Sequence, residues 1–158
     1  MSNSPSFWRD DERKLGDTFV RDGYVIQPAE SRADLDRIRD LLADIAASYL
    51  KLPPAEDKGG FLDRIHEKVD VQRLNDLRLA VIREMNEEAW TRLAYFNTAR
   101  RALEILVGNE LAMQLRINLS IQLPNDDSSL LPVHADVWAG DSPYEVVLWV
   151  PFVHGYGT

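Results

Sequence analysis

The sequence predicts an α+β protein, with a helical N-terminal half packed on a β-rich C-terminal portion. Three observations carry this. Apolar residues recur at helical spacing through residues 1–108, as in Leu35, Ile38, Leu42, Ile45 and Tyr49. From Met113 to Leu123 the apolar period switches to two. A last run, Tyr144 to Phe152, is dense in valine and aromatic residues. A length of 158 residues fits one domain, and 45% hydrophobic content supports an ordinary core. The chain therefore reads as a single domain over 1–158, mainly helical over 1–108, with the first core strands over 109–158.

The elements follow in order. Asp10 to Asp22 reads as a short amphipathic helix ended by Gly23. Residues 23–28, GYVIQP, read as a short strand stopped by proline. Ser31 is placed as an N-cap, with Asp34 in the first turn. The stripe from Leu35 runs to about Leu50, and Pro53-Pro54 ends it. PPAEDKGG reads as a loop, and Phe61 to Val69 as one short helix. Asp70 caps the next helix, with Leu74, Leu77, Val81 and Met85 on one face. A further helix is expected from about Glu87 to Val107, carrying Trp90, Leu93, Leu103 and Leu106 as core residues and ending at Gly108.

In MQLRINLSIQL, Met113, Leu115, Ile117, Leu119, Ile121 and Leu123 share one face of a strand. Gln114, Arg116, Asn118, Ser120 and Gln122 share the other. The polar face either meets solvent, as in a two-layer sheet, or lines a barrel interior that binds a polar ligand. PNDDSSLLP is a turn-rich connection in which Asp126, Asp127 and Ser128 shape the loop. A strand from about Leu131 to Trp138 and a central strand in YEVVLWVPF, buried on both sides, complete the β portion.

Composition excludes several functions. Formal charge is -8 and the isoelectric point is near 4.8, so no basic stripe invites nucleic acid. The chain has no cysteine, which rules out disulfides, zinc–thiolate sites and thiol nucleophiles. MSNSPSFWRDDERK lacks the apolar core of a signal peptide, and no run is long enough to span a bilayer. The expectation is a cytoplasmic protein with a small-molecule substrate and neither a nucleic-acid nor a membrane partner.

The most informative motif is His134-Ala135-Asp136. Side chains two apart on a strand share a face, so an imidazole nitrogen and a carboxylate oxygen converge on one point. That is two-thirds of the 2-His-1-carboxylate triad of non-haem Fe(II) oxygenases. Asn118, Ser120 and Gln122 are candidates to touch a co-substrate or substrate. Arg116 is a candidate carboxylate clamp, since guanidinium pairs bidentately with carboxylate. Trp138 would stand at the pocket mouth, where an aromatic face stacks on a sugar or simply packs. His66 reads as a surface or interface residue.

These residues carry a family resemblance. FVRDGYVI resembles the first strand of phytanoyl-CoA-dioxygenase-type proteins. VGNELAMQLRINLSIQLPNDDSSLLPVHADVWAGDSPYEVVLWVPF resembles, more closely, the Fe(II)/2-oxoglutarate oxygenases of bacterial carbohydrate and surface-polysaccharide clusters, and FLDRIHEKVDVQRLNDLRLAVIREMN fits the same group. The resemblance implies a double-stranded β-helix, a jelly-roll-like barrel. It implies Fe(II) held by His134 and Asp136, 2-oxoglutarate as co-substrate, O2 as oxidant, and oxidation of an unreactive C–H bond of a carbohydrate-type metabolite.

The group also needs a distal histidine and an arginine clamp, both expected beyond Thr158. His154 does not stand where the distal ligand belongs. The chain therefore reads as an N-terminal fragment of a longer protein. A homodimer whose second copy completes the barrel by strand exchange, and a degenerate relic, are the competing explanations. Two functional rivals stand beside the oxygenase. One is a non-catalytic, cupin-like module that binds a sugar or small acid. The other is a halogenating relative, ranked low because Asp136 is present.

Overall fold

The computed structural model describes residues 7–124, 126–127 and 132–154. Six α-helices are found among the described residues: α1 (Asp10–Asp22), α2 (Arg32–Tyr49), α3 (Lys58–Asp63), α4 (Val71–Glu87), α5 (Thr91–Asn97) and α6 (Arg100–Val107). Short 3-10 turns cover Ile65–Glu67 and Asp136–Ala139. None of these helices is long and apolar enough to cross a membrane.

Helix α2 is central. It packs on α3, α4 and α5, while α1 lies on α6 at the periphery. The stripe Ile38, Leu42 and Ile45 meets Leu74, Leu77, Val81 and Met85 of α4 in one buried cluster. Burying each such side chain contributes about 1.5–3 kcal/mol. Ser31 caps α2 by accepting the Asp34 N–H, and Asp70 caps α4 by accepting the Arg73 N–H. Gly23 (φ 80°) and Gly108 (φ 89°) end α1 and α6 in conformations that glycine adopts without steric cost. Helix α2 stops ahead of the prolines, through crossed bonds from Lys51 N–H to Ser48 and Leu52 N–H to Ala47. Lys51 holds the left-handed position (φ 58°) where glycine is usual.

Two helical expectations are corrected. Helix α3 begins at Lys58, inside the expected loop, because Asp57 caps it through the Gly60 N–H. The expected helix from Glu87 to Val107 is two helices. Thr91 is buried, and its hydroxyl donates to the Met85 and Glu88 carbonyls, closing α4. Thr98 donates to the Tyr95 carbonyl and competes with the helix ladder there. Glu30 then caps α6 from a distance, its carboxylate accepting the N–H groups of Arg101 and Ala102. Leu93 is exposed rather than core. Trp90 lies half-buried beneath the Arg37 guanidinium, 3.7 Å from its ring centre.

The larger correction concerns the β portion. No β-strand is found among the described residues, so neither the double-stranded β-helix nor a cupin-like sheet is formed. Residues 23–28 carry no ladder, and Tyr24 and Ile26 are exposed. Residues 132–138 do not form a strand either, since Asp136 opens a 3-10 turn, and Leu131 lies outside the described residues. The run 144–152 is not buried on both sides, since Val147 and Trp149 are exposed.

Helix side chains hold these segments in place of neighbouring strands. The Asn86 amide on α4 accepts the Ile117 N–H (2.8 Å) and donates to the Ile117 carbonyl (2.9 Å), as a ladder partner would. Arg92 donates to the Met113 carbonyl, 3.0 Å away. The Tyr95 hydroxyl donates to the Leu148 carbonyl. Side-chain alternation survives without a sheet. Ile117 is buried, and Met113, Leu119, Ile121 and Leu123 pack against the helical core. Gln114, Arg116, Asn118, Ser120 and Gln122 face outward, together with Leu115, which is 80% exposed.

Burial pushes the Tyr95 pKa up to about 12. A tyrosine in an unfolded chain titrates near about 10. The folded state thus holds the phenol proton more tightly. Its contribution is intact below about pH 10 and is lost as pH rises through about 12. Thermal melts across that range should show wild type losing stability more steeply than Tyr95→Phe. Parallel losses would show that burial does not hold this phenol in its protonated form.

Candidate metal centre

The backbone at Ala135 is extended (φ -127°, ψ 134°). One extended residue between them is enough to turn His134 and Asp136 to the same side. Asp136 then enters the 3-10 turn Asp136–Ala139, closed by Gly140 at φ 103°. The expected convergence is therefore present, although the expected strand is not.

His134 Nε2 lies 3.4 Å from Asp136 Oδ1. On the other side of the ring, Nδ1 is 2.8 Å from the Pro132 carbonyl oxygen. That oxygen can only accept, so Nδ1 carries the proton and donates it. In the neutral ring, Nε2 then presents a lone pair toward the carboxylate. Two acceptors facing each other can share one cation, a second proton or a metal ion, or a water that donates to both. The arrangement matches the common pattern of metal-binding histidines, whose other nitrogen is fixed by a backbone carbonyl. A gap of 3.4 Å is less than twice a metal–ligand bond of about 2.1 Å. One ion can touch both atoms.

The two side chains are 47% and 49% exposed, so a cation would be reached from solvent. No group of three or more metal-ligating side chains is found among the described residues. The donor set thus fits a metal at two positions and leaves the others to be filled. His154 is tied instead toward α3, its backbone N–H donating to Asp63.

The other expected site residues are not gathered here. Arg116, Asn118, Ser120 and Gln122 lie on the solvent face of the segment pinned by Asn86. Among the described residues, no hydrogen bond or ion pair joins them to His134 or Asp136. The polar face therefore meets solvent and does not line a barrel. Trp138 does share the turn with Asp136 and is 76% exposed. Ser128 lies outside the described residues. Two surface clefts, one beside Glu84, Glu87 and Glu88 and one beside Phe19 and Tyr144, are lined by neither motif residue.

Sequence reading missed the Pro132 carbonyl and the anchors Asn86, Arg92 and Tyr95. Only Asn86 left a trace, as an amide at helical spacing from the apolar residues Ile82 and Trp90. The chain matches no protein family, no characterised protein and no solved structure.

Proposed function

We propose that this chain carries the His–carboxylate half of the iron site of a non-haem Fe(II)/2-oxoglutarate-dependent oxygenase. Its substrate would be a carbohydrate or nucleotide-sugar-type metabolite of surface polysaccharide synthesis. The observation that carries the reading is the pairing of His134 Nε2 with Asp136 Oδ1, with Nδ1 fixed on the Pro132 carbonyl. With Fe(II) and O2, conversion of 2-oxoglutarate to succinate and CO2 would supply the oxidising power to place one oxygen atom in a substrate C–H bond. The protein's part is to hold the two donors on one side of the Ala135 backbone and to fix the imidazole tautomer. Trp138 offers an apolar face beside them for a sugar ring. The remaining donor and a cationic clamp would come from outside the described residues.

The test is succinate formed from 2-oxoglutarate in the presence of Fe(II), with nucleotide sugars as candidate substrates. His134→Ala and Asp136→Ala should each remove substrate-dependent succinate. Turnover by either variant at the wild-type level would end the assignment. A second reading is favoured by the two-donor, half-open site: a module that binds a sugar without redox chemistry. Sugar binding that persists with a chelator, with no succinate formed, would select it.

A further inference from the structure

The turn that carries Asp136 ends in two crossed backbone bonds. The Gly140 N–H donates to the Val137 carbonyl (3.2 Å), and the Asp141 N–H reaches past it to the Asp136 carbonyl (3.4 Å). This crossing needs a left-handed residue at the bend. Helix α2 ends with the same pair of bonds, and there Lys51 makes the bend at φ 58°. That angle lies in the left-handed region that ordinary side chains can enter. Gly140 stands well outside it, at φ 103° and ψ 8°. Among the described residues, a Cβ built at 140 would meet nothing within 4 Å. Backbone conformation, and not space, therefore requires glycine here.

We infer that Gly140 is a positioning residue of the His134–Asp136 pair. Asp136 accepts the outer crossed bond through its carbonyl, and its carboxylate lies 3.4 Å from His134 Nε2. The backbone of Asp136 sets where its Cβ points, and a short side chain has little reach of its own. An L side chain at 140 draws φ back toward about 60°. That rotation swings the Asp141 N–H away from the Asp136 carbonyl, and the turn loosens. Where the pair holds a metal ion, as proposed above, Gly140 then sets the affinity. The geometry of the pair depends on Gly140 with or without the ion.

The loosening has little room to pass along the chain. On the C-terminal side, Ser142 holds the next turn. Its hydroxyl accepts the Tyr144 N–H (3.2 Å), and its carbonyl accepts the Glu145 N–H (3.1 Å). On the N-terminal side, the His134 ring is held at the Pro132 carbonyl, 2.8 Å away. The strain falls on residues 136–139, and the carboxylate moves off the imidazole. No residue of this turn belongs to the buried helical cluster, so the helical body keeps its fold while the pair separates.

The test is a series at one position of the full chain: Gly140→Asn, Gly140→Ala and Gly140→Val, in falling order of tolerance for positive φ. Cobalt(II) affinity, read by visible absorption, should fall in that order. Alanine should cost about tenfold, the lower end of what losing an orienting group costs. In the metal-free chain, the His134 ring-nitrogen NMR signals should shift in the same order, and exchange of the Asp141 amide should quicken. Helical circular dichroism should stay at the wild-type level. Gly23→Ala puts the same kind of strain (φ 80°) at the end of α1 and should leave the cobalt and NMR readings unchanged. Wild-type cobalt affinity in Gly140→Val would overturn this role for Gly140, and so would an equal loss in Gly23→Ala. A wild-type chain that binds no cobalt would retire the iron reading alone. The metal-free signals would then decide, and unchanged His134 and Asp141 signals in Gly140→Val would overturn the role.

Discussion

Asp136→Asn should weaken binding of cobalt(II), a stable spectroscopic stand-in for Fe(II), by at least about tenfold, and His134→Ala by about 100-fold. Loss of a group that merely orients a ligand already costs about 10–100-fold in metal affinity, and in the proposed site these residues would be the donors themselves. Asparagine keeps the shape of Asp136 but removes the negative charge that offsets the ion. Alanine at 134 removes the lone pair that the Pro132 hydrogen bond aims at Asp136. His66→Ala and His154→Ala should leave the affinity unchanged, because neither ring is paired with Asp136. A visible-absorption titration reads all four. Wild-type affinity in His134→Ala would show that the ion binds elsewhere, whatever the turnover assay reports.

Asn86→Ala should destabilise the fold by about 2–4 kcal/mol, seen as a lower urea midpoint with an unchanged slope. The amide satisfies both the N–H and the C=O of Ile117, a residue only 6% exposed. Alanine leaves both groups without a partner, at about 1–3 kcal/mol each. The same substitution favours the helix itself by up to about 0.7 kcal/mol, so the two effects oppose each other and the pairing term is the larger. Asn86→Asp keeps an acceptor for the Ile117 N–H but turns a second acceptor toward the Ile117 carbonyl. It should be at least as damaging. A neutral or stabilised Asn86→Ala would show that the segment 113–123 is not held at this point.

The helical half was legible because its signals are local. Ser31, Asp70 and Gly23 act on the turn beside them, and the apolar stripe of α2 needs no knowledge of its neighbour. The break at Thr98 was not legible, because it depends on a carboxylate, Glu30, far away in sequence. The β portion shows what periodicity does and does not encode. Alternation from Met113 to Leu123 reports an extended backbone with one covered face, and, Leu115 apart, that face is covered. It does not report what lies at the edges, and here helix side chains lie there. The motif geometry was legible for the same reason as the caps. Convergence of His134 and Asp136 requires only that Ala135 be extended, which a strand would provide and a lone residue also provides.

The three side-chain anchors also bear on the order in which the chain assembles. Helix α2 contacts its neighbour α3 and also α4 and α5, farther along the chain, and these contacts build the helical body first. Asn86 meets Ile117 across 31 residues, and Tyr95 meets Leu148 across 53. Closing the longer loop carries the greater entropic penalty, and its docking surface exists only once α4 and α5 are formed. Refolding should therefore run from the helices outward, with 113–123 joining next and 144–152 last. Substitutions at Tyr95 should then speed unfolding while leaving the folding rate nearly unchanged.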